Sequence, residues 1–98
     1  MAARYTLSPR AKSDIEEIWS YTESHWGFDQ AEQYIRELWR HVEIIASRPK
    51  TGRPCPEVRA GYYKCRAGSH FLFYRMTGDG VDIVRILHER MDFKRHLP

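Results

Sequence analysis

Four residues in the second half of the chain have the types that metal-free RNA cleavage requires. Such a reaction needs a general base for the 2'-hydroxyl, an acid for the leaving oxygen and cations on the phosphate. His88, Arg90, Lys64 and Arg66 supply those groups in principle, and Lys64, His88 and Arg90 form the minimal set. Solvated positions on a strand are the competing reading of Lys64 and Arg66. Other chemistries find less support. Glycines 61, 68, 78 and 80 lack the spacing of a phosphate-binding loop. His88, Asp92 and His96 have no recognised ligand spacing, and Cys55 and Cys65 form neither a CxxC nor a zinc pattern. Cys55 between prolines and Ser69 at a strand entry are not in a nucleophile-elbow sequence. No metal and no cofactor are expected.

Elements that could position these groups are legible from periodicity. Ser8-Pro9 is a helix-start signal, followed by Ala11, Ile15, Ile18, Trp19 and Thr22 at spacings of three and four, with Asp14, Glu16, Glu17 and Glu23 assigned mostly to the opposite side. Gly27 stops this helix, and Asp29 with Glu32 reads as a capping box for the next. The second helix carries Ala31, Ile35, Leu38, Val42 and Ile45 and ends near Ser47, because Pro49 cannot continue it. Helices joined so closely must form an antiparallel hairpin. Trp19, Trp26 and Trp39 read as packing residues. Beyond the connector PKTGRPCP, three runs rich in β-branched and aromatic residues follow, the last two separated by TGDG. RYTL at residues 4–7 adds a strand, giving a β-α-α-β-β-β order: an α+β chain with a helix hairpin on a small, mainly antiparallel sheet, one domain over residues 1–98.

Composition narrows the function classes. With 98 residues, 42% of them apolar, one modest core is possible. No run reaches the roughly 18 apolar residues of a membrane span, and MAARYTLSPR has no signal-peptide segment, so a soluble cytoplasmic protein is expected. Residues 1–47 carry five Lys/Arg against eight Asp/Glu, and residues 48–98 eleven against five. The sheet half is therefore basic, which favours an anionic partner. In the middle strand both faces are apolar, Phe71 and Phe73 one way, Leu72, Tyr74 and Met76 the other. A helix hairpin covers one face only; the other must lean on the C-terminal tail, a partner or water.

The opening YTLSPRAKSDIEEIW, the phrase AEQYIRELWRHVEIIASRPKTGRP, and above all SHFLFYR followed by VDIVRILHERMD resemble the ParE branch of the RelE/ParE superfamily of type II toxin–antitoxin toxins. The resemblance runs from Tyr5 to Leu97. Ribosome-dependent mRNA endoribonucleases of the RelE type spread cations over the central strands and the C-terminal region. Lys64 and Arg90 match two of them, but an expected arginine falls on Phe71, a strand lysine on Tyr62 and a C-terminal tyrosine on His96. One lost donor of this kind removes roughly 2.7 to 4 kcal/mol of transition-state stabilisation. The resemblance thus implies a toxin that inhibits DNA gyrase by binding, not an enzyme. It also implies a ParD-like antitoxin in a heterotetramer or larger assembly, touching DNA only through that antitoxin. Arg90, Asp92, Lys94, Arg95 and His96 are then the expected target-contact and toxicity segment, with Arg90 pairing Asp92. Arg59, Lys64, Arg66, Arg75 and Arg85 are the expected salt-bridge partners of the antitoxin, and Leu72, Tyr74 and Met76 its apolar contacts.

Overall fold

The computed structural model describes residues 4–97. Strand β1 (Tyr5–Leu7) leads through Ser8 into α1 (Pro9–Trp26), α2 (Phe28–Ser47) and a 3-10 turn at Pro49–Thr51; β2 (Arg53–Pro54), β3 (Tyr62–Ala67), β4 (His70–Met76), β5 (Val81–His88) and a short α3 (Phe93–His96) follow. The expected order is present, with a two-residue strand and a helical turn in the tail added to it. Ser8 caps α1, its hydroxyl accepting from the Ala11 amide at 3.0 Å. The helices are separated by one residue. Gly27 sits at φ +92°, a conformation other residues rarely adopt, and ends α1 while starting α2. The Asp29 capping box does not form, because α2 begins at Phe28 without a side-chain cap. Asp29 instead lies in the first turn, where its charge suits the helix dipole.

The strands form one mixed sheet in the order β1-β5-β4-β3-β2. β1 runs parallel to β5, so the first and last strands of the chain lie side by side, and the other pairings are antiparallel. One face of the sheet receives the helices. Leu72, Tyr74, Val81, Ile83 and Ile86 pack there against Ala11, Ile18, Leu38, Val42 and Ile45. On the other face Tyr62, Phe73, Val84 and Leu87 are covered by Cys55, Val58, Met91, Phe93 and Leu97. The two-faced middle strand is thus satisfied within the chain: the tail folds back, and Phe93 meets Phe73 and Phe71 with ring centroids 4.8 and 5.6 Å apart. Trp19 and Trp39 are half-buried, whereas Trp26, 70% exposed, does not pack in the core.

Candidate functional site

The tail is fastened by two arginines, and one of them depends on an irregularity in β5. β4 and β5 pair without a gap from His70–His88 to Phe73–Arg85, but the next pair is Tyr74–Ile83, leaving Val84 as a bulge. β1 ends opposite Ile83, so from Val84 onward β5 has an open edge. α1 closes it with polar groups. The Ser8 hydroxyl donates to the Val84 carbonyl, and the Asp14 carboxylate accepts the Ile86 amide at 2.9 Å. The same carboxylate accepts Nε and Nη2 of Arg85, both at 2.8 Å, in a bidentate pair whose partners are 6% and 7% exposed. Bonding to Asp14 raises the Arg85 pKa further. Nη1 of Arg85 donates to the His96 carbonyl and Arg59 to the Leu97 carbonyl, each at 2.8 Å.

Several expected residues therefore serve the chain itself. Arg85 is buried between α1 and the tail and presents no surface to an antitoxin. Arg59 is exposed and gives one Nη2 donor to the Leu97 carbonyl. Leu72 and Tyr74 are fully buried beneath the helices, because even-numbered β4 positions face them. Tyr74 donates to the Pro49 carbonyl at 2.6 Å and accepts the Gly52 amide at 2.9 Å, tying the connector to the sheet. Burial pushes its phenol up to about 12. Asp14 was legible at the right spacing, three after Ala11 and four before Ile18, but its charge alone suggested solvent.

What remains at the surface is cationic. Arg90, Lys94 and Arg95 are exposed, Asp92 is exposed beside them, and His96 is half-buried. No ion pair joins Arg90 to Asp92 among the described residues; the Arg90 amide instead donates to His88 Nδ1 at 3.2 Å. On the strands, Arg66 pairs with Glu89 and Arg75 with Asp82, while Met76 is partly exposed at the end of β4. The hydrogen bond from Arg66 lowers the Glu89 pKa. Lys64 is half-buried, its ammonium held 5.3 Å from the Phe71 ring centre and 6.0 Å from that of Phe93.

These placements separate the RNA-cleavage set. Lys64 pairs with Phe73 and shares the tail face with Phe71 and Phe93. His88 lies opposite His70, which bonds to Tyr34 of α2, so both imidazoles are on the helix face. The sheet stands between the cation and its intended base. His70 Nδ1 lies 2.6 Å from the Tyr34 hydroxyl, which also accepts the Ser69 amide. Burial, then repulsion from His88, pushes His70 down to about 4, so its ring is neutral at pH 7. Both rings border a groove of about 410 Å³ between α1 and the end of β5, lined also by Ile18, Tyr21, Ile86 and Met91. Among the described residues no three His, Cys, Asp or Glu side chains converge as metal ligands, and no helix is long and apolar enough to cross a membrane.

Comparison with known proteins places this geometry. Residues 5–93 match the family model described as the ParE toxin of the type II toxin–antitoxin system parDE. Toxin ParE1 of Mycobacterium tuberculosis is 55% identical, the alignment covering 99% of this chain and all of that protein. Toxin ParE1 of Caulobacter vibrioides is 48% identical over 95% of this chain and 96% of its own length. Among solved structures, a chain of the chromosomal ParDE system from P. aeruginosa superposes with a TM-score of 0.77 at 16% identity, covering 89% of this chain and 96% of that one.

Proposed function

The chain belongs to the ParE family of toxins of type II toxin–antitoxin systems, and from that premise we propose that it arrests growth by adhering to DNA gyrase in the cytoplasm and is neutralised by a ParD-like antitoxin. The observation that carries adhesion over cleavage is the placement of Lys64 and His88 on opposite faces of the sheet. A cation and a base so divided do not act on one phosphate. The contact surface is the outer side of the tail. Lys94 and Arg95 project from a segment that Phe93, Leu97, Arg59 and Arg85 hold in place, so little ordering is needed when a partner docks. Arg66, Arg75 and Met76, exposed on neighbouring strands, are the remaining contacts for an acidic, amphipathic antitoxin segment.

The experiment sets the purified chain with gyrase and relaxed plasmid beside translating ribosomes with a reporter message. Blocked supercoiling, relieved by the antitoxin, is the expected result. Cleaved message with supercoiling unaffected overturns the proposal.

A further inference from the structure

The two ends of α1 carry opposite chemistry. Residues 13–35 include six Asp and Glu and no Lys or Arg. Asp14 is spent on Arg85 and Glu32 pairs with Arg36, but Glu16, Glu17, Glu23 and Asp29 are exposed and form no ion pair among the described residues. Amid these carboxylates the tip of the helix hairpin turns large rings to solvent: Tyr21 is 63% exposed, Trp26 70% and Phe28 55%. At roughly 150–250 Å² for a whole aromatic side chain, about 400 Å² of ring surface is left uncovered, as much as the largest apolar patch of an ordinary monomer. At the other end of α1 lies an open hollow of about 320 Å³, lined by Arg10, Val84, Arg95, His96 and Leu97. Arg10 and Arg95 are exposed and have no ion pair among the described residues.

We propose that this hollow is a seat for the hairpin tip of a second copy of this chain, Trp26 entering beside Arg10 and Arg95 while Glu23 and Asp29 face the same cations. A guanidinium over an indole is among the most favourable cation–ring contacts, and the carboxylates around the ring suit the same partner. One copy cannot satisfy itself. Trp26 lies 16 residues beyond Arg10 in α1, which at about 1.5 Å per residue puts the two about 24 Å apart along the helix axis. Two tips do not suit each other, because each is ringed by carboxylates of like charge. Tip and hollow are different surfaces, so the contact is head-to-tail, and each added copy leaves one of each open. The tip offers about half of the roughly 800 Å² per partner found in a stable interface, so the association is weak and reversible. Arg95 also belongs to the proposed gyrase surface, and a copy seated there would close that surface at high toxin concentration. The association itself does not depend on gyrase and is measured on the pure chain.

The test is sedimentation velocity of the full chain from about 10 to about 500 µM, a range suited to small, transient contacts. In about 0.1 M salt, where charges are screened over about 10 Å, the sedimentation coefficient should rise with concentration; in about 1 M salt, where the length is about 3 Å, it should not. Trp26→Ser and Arg95→Glu should each weaken association about tenfold or more, as the loss of an interface anchor does. Their thermal midpoints should match the parent's, because both side chains are exposed. Lys50→Gln, on the connector, should associate like the parent. Mixed in equal amounts, the Trp26→Ser and Arg95→Glu chains should form a dimer with the parent's affinity and grow no further, since one supplies an intact hollow and the other an intact tip. A monomer throughout in about 0.1 M salt, association undiminished in about 1 M salt, parent-like association of Arg95→Glu alone, or a mixture no larger than its components would each overturn the proposal.

Discussion

Replacing Asp14 by alanine isolates the bond that joins the two layers of this protein. The substitution leaves the Arg85 guanidinium buried with one carbonyl partner in place of a carboxylate, and leaves the Ile86 amide without its acceptor. Breaking one side of a buried ion pair costs about 3–5 kcal/mol, and an orphaned amide about 1–3 kcal/mol. Water entering the truncated site recovers part of both, so about 3–5 kcal/mol in all is expected. For a chain of this size each kcal/mol shifts the thermal midpoint by about 4–8 °C, so a fall of at least about 12 °C should be seen. Asp14→Leu combined with Arg85→Met removes both charges and should lie within about 2 kcal/mol of the parent, the residue being the lost amide acceptor and the lost bond to the His96 carbonyl. Urea denaturation followed by tryptophan fluorescence measures all three proteins. An Asp14→Ala variant within 1 kcal/mol of the parent, roughly the span of an exposed pair, would refute the reasoning, as would a double variant no more stable than the single one.

Lys94→Glu with Arg95→Glu should change stability by no more than about 0.5 kcal/mol, as exposed substitutions do, yet abolish growth arrest on induction without antitoxin; persistent arrest removes the tail from the contact surface. Truncation before Lys94 is a poorer test, because it also removes Leu97 and the carbonyls that Arg59 and Arg85 hold. The folded pKa of His70 is about 4 against 6.5 unfolded, so protonation favours the unfolded chain: its contribution to stability is present above pH 6.5 and declines as pH falls toward 4. His70→Gln should flatten the urea midpoint between about pH 6.5 and pH 5, and an unchanged slope would exclude His70 as its source. Tyr74→Phe leaves the Gly52 amide unpartnered and should cost about 1–3 kcal/mol, with faster hydrogen exchange confined to the connector at residues 49–54; uniform exchange would contradict that local role. Gly68→Ala places a methyl 2.7 Å from the Tyr34 ring at φ +61°, and should lower the unfolding free energy read from urea denaturation by more than the about 1–2 kcal/mol of the left-handed conformation alone.

The element order was legible because periodicity and punctuation agreed along the chain: Ser8-Pro9 opens a helix that Gly27 closes, Pro49 ends the second, and the β4 alternation of Phe71 and Phe73 against Leu72 and Tyr74 assigns each face as observed. What covers each face was not legible, since alternation gives orientation without naming a neighbour. Leu72 and Tyr74 thus looked available to a partner and are core. The burial of Arg85 is hidden for a related reason. Its position in a strand suggests a solvent-facing cation, and only the fold, with β1 ending opposite Ile83 and the Val84 bulge beside it, brings Asp14 within its reach. Strand β2 is hidden in the sequence because PKTGRPCP reads as a connector, and a two-residue strand lies below the length that periodicity can detect.

The bulge also makes the length of β5 matter independently of its composition. With either Val84 or Arg85 deleted, Ile83 and Ile86 would still alternate correctly and the strand would pair as a regular ladder. A shortened strand that kept the arginine would hold it in a regular ladder opposite Phe73, and one that kept the valine would leave Asp14 with the Ile86 amide alone. Relatives should therefore tolerate exchanges of one aliphatic side chain for another here far better than the loss of a single codon.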